Sequence, residues 1–200
     1  MLSRKHRGKE MTRLETFVDA AFAFSVTLLV VSIDEIPETT AQLLDAARGI
    51  PSFVLSVLMI FLFWNGHRSW SRRFGLEDGP AVALSWALVV SVLCFVYPLK
   101  FMMNIIVEVA TMGGIETPAR FINPGSKADV LRELYLMFAI YGAGFAWMSG
   151  LFALMIVHAH SQGFAFALSP SGVYETRTET AVGGLATLVG GASVALAVAT

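Results

Sequence analysis

The chain has 200 residues, 56% of them hydrophobic and only 14% charged, with a formal net charge of −1. A soluble domain of this size carries about a quarter charged residues. Here the apolar excess is gathered into long runs, which points to a bilayer and away from a large aqueous core, and the charge balance gives no case for nucleic acid.

The chain opens on Arg4, Lys5, Arg7, Lys9 and Arg13. This basic start leads into a polar-headed run without a small-residue cleavage site, so no signal peptide is expected. A spanning helix needs about 20 apolar residues. Candidate spans fall at about 14–33, 50–66, 80–107, 134–157 and 180–200. The expected fold is all-α: a polytopic membrane protein with five transmembrane helices in one domain over residues 1–200. The connection 34–49 holds Asp34, Glu35, Pro37, Glu38 and Asp45, and 67–79 holds Arg68, Arg72 and Arg73. Residues 108–133 carry Gly113, Gly114, Pro118, Pro124 and Gly125, which read as turns. Residues 161–179 carry Pro170 and Gly172. Lysine and arginine favour the cytoplasmic side. The basic N-terminus, a first connection with only Arg48 and a second with three arginines therefore predict a multi-pass cell-membrane protein with its N-terminus in the cytoplasm.

Little else in the later runs carries chemistry. Cys94 is the only cysteine and lies in an apolar run, so it reads as a packing residue. Pro98 and Lys100 fall near the outer end of the third run, where Lys100 can snorkel. Gly142, Ala146 and Gly150 repeat a small residue every fourth position, and Gly183, Gly184, Gly190 and Gly191 recur seven apart. Such faces permit close helix approach. His158 and His160 lie about 200° apart on a helix, which predicts interfacial polar residues and no shared metal. There is no glycine-rich nucleotide loop and no nucleophile–base pair. Neither an enzyme nor a resident cofactor is expected.

The first run is the informative one: Arg13, Glu15 and Asp19 stand in its opening third. At about 100° per residue, Arg13, Phe17, Ala20, Leu28 and Val31 all lie within about 40° of Phe24, and Thr27 lies about 60° away. Asp19 falls at about −140°, nearly behind this seam. The pattern suggests a seam facing an axis or another helix, with Asp19 facing a partner in its own subunit. Ordinary packing or lipid contact is the plainer reading of the same pattern. Ionisable residues inside a membrane are functional candidates by default. The second run offers donors at the matching depth: Trp64, His67 and Arg68 sit at three- and four-residue spacings on one face. An indole N–H, an imidazole or a guanidinium can each donate to a carboxylate. An interfacial aromatic and basic belt explains the same residues.

Arg13-x-x-x-Phe17-Val18-Asp19, at the head of an apolar helix, resembles the R-x-x-x-F-S-D signature of the endosomal/lysosomal potassium channel family in its single-repeat prokaryotic branch. "FWNGHRSW" resembles that family's W-x-x-H segment. The resemblance covers the first two spans; beyond Pro98 it rests on helix count and spacing. It implies a homotetramer of six-helix subunits in a lipid bilayer, with the first helix lining a path for potassium ions. It implies apolar constriction rings at Phe24, Leu28 and Val31, and a selectivity hydroxyl at Thr27. Arg13, Phe17, Asp19, Trp64, His67 and Arg68 would be the scaffold that fixes the pore helix. Three departures stand out. Val18 replaces the signature serine, Phe24 stands where the family has Ile or Leu, and a sixth helix is missing from the expected spans.

The reading is therefore a potassium-selective cation channel with a hydrophobic constriction. A proton-coupled transporter or proton pathway using Asp19 and His67 is the alternative, and a non-conducting structural membrane subunit is a third. Hydrophobic constrictions gate by dewetting, whereas transporters show broken helices or repeated halves. Neither of those transporter features is evident in the sequence.

Overall fold

The computed structural model describes residues 11–31, 37–112 and 127–162. They form helices α1 (Arg13–Val31), α2 (Thr40–Arg48), α3 (Ile50–Phe74), α4 (Gly79–Met112) and α5 (Lys127–Ser161). Among the described residues, four stretches are long and apolar enough to cross a membrane: Arg13–Val31, Thr40–Phe74, Gly79–Glu108 and Tyr135–Ser161. The fifth expected span, 180–200, lies outside the described residues, as do the glycines 183–191.

Local sequence explains most boundaries. α1 starts in a reciprocal capping box: the Glu15 backbone N–H donates to Thr12 Oγ1, and the Thr12 N–H donates to Glu15 Oε2, both at 3.1 Å. One of the three early charges of this helix is thus a cap. Thr39 and Gln42 form the same box ahead of α2. Residues 34–49 were expected to be a connection only. α2 is a nine-residue helix within it, too short to register as a span. Gly49 closes α2, and Pro51 stands in the first turn of α3, where a missing N–H costs nothing.

α3 also departs from expectation, since the apolar count places the end of the second span at 66 with a polar connection after it. The helix runs eight residues further, to Phe74. Arg72 and Arg73 sit in its last turn, where cations meet the negative end of the helix dipole. Gly75 then adopts φ 54°, a left-handed cap that favours glycine, and its N–H donates to Ser71 O at 2.7 Å. Charge ended the apolar count there, but it did not end the helix. α4 and α5, of 34 and 35 residues, both exceed the length needed to cross hydrocarbon. Pro98 lies inside α4 without ending it.

α3 and α4 are the central pair; each packs on the other, and both pack on α1 and α5. The core gathers Val18, Phe22 and Leu29 from α1, Ile60, Trp70 and Phe74 from α3, and Leu88, Val92 and Val96 from α4, closed by Met148, Leu151 and Met155 of α5. Two of the buried serines are satisfied within their own helices. Ser25 donates to Ala21 O at 2.9 Å, and Ser56 to Ser52 O at 2.8 Å. Small side chains of this kind let apolar helices approach closely, and dispersion then holds them.

A close approach also occurs off the Gly142–Ala146–Gly150 face. Gly142 is buried, but a Cβ at Gly150 would meet nothing within 4 Å. A Cβ at Gly144 would overlap the Phe95 ring at Cε2. That ring also lies 5.3 Å from Tyr141, centroid to centroid. Gly144→Ala should therefore lower the thermal midpoint in detergent, by overpacking worth about 1–3 kcal/mol. Gly150→Ala should leave it unchanged or raise it, because alanine favours helix by about 1 kcal/mol over glycine. Equal midpoints for the two variants would refute this account of the α4–α5 contact.

Candidate functional site

α1 presents two faces of different fate. Val18, Phe22, Ser25 and Leu29 are buried. On the other side, Arg13 and Ala20 are exposed, Phe17 and Phe24 are 50% and 56% exposed, and Val31 is 70% exposed. Thr27 is exposed with them, and its hydroxyl donates to Ala23 O at 3.2 Å. Leu28 differs from the rest of the seam: it is half-buried and packs against the core of its own protomer.

Asp19 is half-buried on the reverse side, and its Oδ1 accepts the Trp64 indole N–H at 2.7 Å. That contact joins the first third of α1 to the C-terminal half of α3. The indole is itself held on both sides. The Arg68 guanidinium carbon lies 5.2 Å from the ring centroid, and Phe61 lies 5.3 Å away on the same helix. Arg68 therefore stacks on Trp64 as a cation on a π face.

His67 shares the helix face but has a different partner. It is 1% exposed, and its Nε2 lies 3.0 Å from Oγ of Ser85, a fully buried α4 residue. Three residues on, the Trp70 indole donates to Met155 O of α5 at 3.0 Å. A step of three residues rotates a side chain by about −60°. Trp64, His67 and Trp70 thus fan across about 120° and reach α1, α4 and α5 in turn. The spacing was legible in the sequence. Ser85 and Met155 O were not, because a wheel drawn on one helix says nothing about what its neighbour presents. The proton-pathway alternative joins Asp19 to His67, whereas these two residues are bonded to separate partners.

At the same end of the bundle, His158 Nε2 lies 2.7 Å from Asp78 Oδ2 in the α3–α4 turn. The His160 ring hydrogen-bonds through Nδ1 to Ile156 O at 2.8 Å. The two histidines thus serve different partners. Among the described residues, no three His, Cys, Asp or Glu side chains gather as a metal site.

The model of the family described as "Endosomal/lysosomal potassium channel TMEM175" matches residues 13–98. A potassium channel of Marivirga tractuosa is 33% identical over 174 residues, which covers 86% of this chain and 68% of that protein. The chain belongs to the TMEM175 potassium channel family. Its members are channels and not enzymes, and the apolar helices make this chain a multi-pass membrane protein. A crystal structure of a variant of the potassium channel MtTMEM175, bound to a nanobody–MBP fusion protein, superposes with a TM-score of 0.81 at 31% identity. The superposition covers 96% of this chain and 82% of that one, so the likeness extends well past Pro98. The stretch matched to the TMEM175 model begins at Arg13 and contains Asp19, Trp64, His67 and Ser85.

Trp64→Phe removes the indole donor and leaves the Asp19 carboxylate without it. The thermal midpoint should fall by an amount equivalent to about 1–3 kcal/mol. Adding Asp19→Ala to Trp64→Phe should recover part of the loss, because no carboxylate is then stranded. Additive losses in this double-mutant cycle would mean that the contact carries no coupling energy.

Proposed function

We propose that this chain forms a potassium-selective cation channel, a homotetramer in the cell membrane with its N-terminus in the cytoplasm and α1 lining the path. One observation carries the reading. Apart from Leu28, the seam of α1 is turned to the surface while the face behind it is locked into the core by packing and by the Asp19–Trp64 hydrogen bond. Repeated heterologous contacts close into a ring when the rotation allows, and four such seams would then face one axis. TMEM175 membership supports the ion, and the basic N-terminal residues support the orientation.

The mechanism follows from the chemistry of the seam. Phe24, Leu28 and Val31 form successive apolar rings that narrow the path. Such a constriction gates by wetting and dewetting. Phe24 brings four phenyl rings to one level, and their rotamers set the aperture. Thr27 gives its hydroxyl proton to Ala23 O, so the oxygen lone pairs are left for a passing cation. Arg13, Phe17, Asp19, Trp64, His67 and Arg68 hold the helix in place. Potassium is the permeant ion, and no cofactor is required.

Potassium flux into reconstituted vesicles tests the reading, together with particle symmetry in detergent. Phe24→Ala should raise flux about tenfold, the effect of lowering a barrier by ~1.4 kcal/mol. Thr27→Val should lower the preference for potassium over sodium. A monomeric particle, or seam variants that leave both flux and selectivity at wild-type values, would overturn the assignment.

A further inference from the structure

The buried pair of His67 and Ser85 is not accounted for by the lining of a path. His67 is 1% exposed and Ser85 is 0% exposed, so neither reaches the seam. Their contact, 3.0 Å, joins α3 to α4 just one helical turn from the Trp64–Asp19 bond. The buried serines Ser25 of α1 and Ser52 and Ser56 of α3 return their hydroxyls to their own helix or its cap. Ser85 meets a side chain on another helix. α1 offers no competing hydroxyl at its own signature position, because Val18 stands there, fully buried.

We propose that Ser85 is a positioning residue of the channel, holding the His67 ring so that α3 keeps Trp64 aimed at Asp19 on the pore helix. This rests on the channel reading above. A hydroxyl suits the task because it donates to an unprotonated ring nitrogen and accepts from a protonated one. The contact therefore survives either tautomer of the imidazole. Removing it leaves a buried ring nitrogen without that partner, in surroundings where such a loss is costly. α3 would then turn or slide relative to α4 and carry Trp64 with it. In this way α4 influences the path without lining it.

The test is potassium flux and potassium-over-sodium selectivity in vesicles, for the full chain and normalised to folded protein. Ser85→Ala should cut flux about tenfold or alter selectivity, and Ser85→Thr, which keeps the hydroxyl, should restore both. Ser56→Ala is the control: it is equally buried but bonded within its own helix, and it should behave as wild type. If Ser85→Ala does not assemble, Ser85→Cys replaces it, with a similar size but a weak S–H donor, and the same loss is expected. Wild-type flux and selectivity in the Ala or Cys variant overturns the proposal, as does an equal loss in Ser56→Ala or failure of Ser85→Thr to restore. An inert wild type would instead overturn the channel reading itself.

Discussion

A single hydrogen bond decides which way α1 faces. Most of this helix is apolar on both sides, with Phe22 and Leu29 inward and Phe24 and Val31 outward. In lipid there is no hydrophobic drive to prefer one apolar face over the other. Dispersion alone would leave the rotation of α1 weakly determined. A carboxylate is different, since away from water it needs a donor. The Trp64 indole at 2.7 Å is that donor, and Trp64 is fixed in turn by Phe61 and Arg68. The outward orientation of Phe17, Phe24 and Thr27 follows from where Asp19 is anchored. The charge in the head of this helix therefore sets an orientation that its apolar residues leave open.

α3 distributes the same control to the other helices. Trp64, His67 and Trp70 are polar-tipped side chains on one helix, each spent on a different neighbour. All three lie in its C-terminal half, where Asp78 and His158 also join the α3–α4 turn to α5. Polar ties are thus concentrated toward one end of the bundle. Nearer its start α3 buries Ser52 and Ser56, whose hydroxyls turn back on their own helix and its cap and leave only small side chains to pack. Such an arrangement holds this end of the described helices in register, and farther along the Trp147 indole donates to Ser91 Oγ at 2.9 Å as a further tie between α5 and α4.

The sequence made the long apolar elements legible, because hydrocarbon thickness sets a length that can be counted. It was less informative wherever charge and helix coincide. His67 and Arg68 end the count of the second span at 66, yet α3 continues to Phe74 with Arg72 and Arg73 stabilising its last turn. α2 was missed because nine residues with Asp45 and Arg48 cannot span, although Thr39 and Gln42 spell out its cap. The exposed side of α1, Leu28 apart, and the facing of Asp19 and Trp64 were readable from periodicity and spacing. The partner of His67 was not, since one serine in an apolar run gives no signal until the neighbouring helix is in position. Small-residue spacing pointed to Gly142, Ala146 and Gly150, while close approach occurs at Gly144, where a specific Phe95 ring requires it. That requirement belongs to the pair of helices and not to the spacing within one.

The departures at Val18 and Phe24 fall on different faces of α1, one buried and one exposed, and this separates their consequences. Val18 is fully buried, so replacing a signature serine there changes the interior of the protomer. It exchanges a hydroxyl for an apolar group at a place where an unpaired hydroxyl would be costly. The exchange is tolerable because His67 takes its hydroxyl from Ser85 and Asp19 takes its donor from Trp64, so neither depends on position 18. Phe24 is on the exposed face, and its ring leaves those polar ties untouched. Under the channel reading it acts on the path and not on the scaffold. Under that reading the constriction can vary at position 24 without disturbing the Asp19–Trp64 contact, since Phe24 and Asp19 lie on different sides of α1.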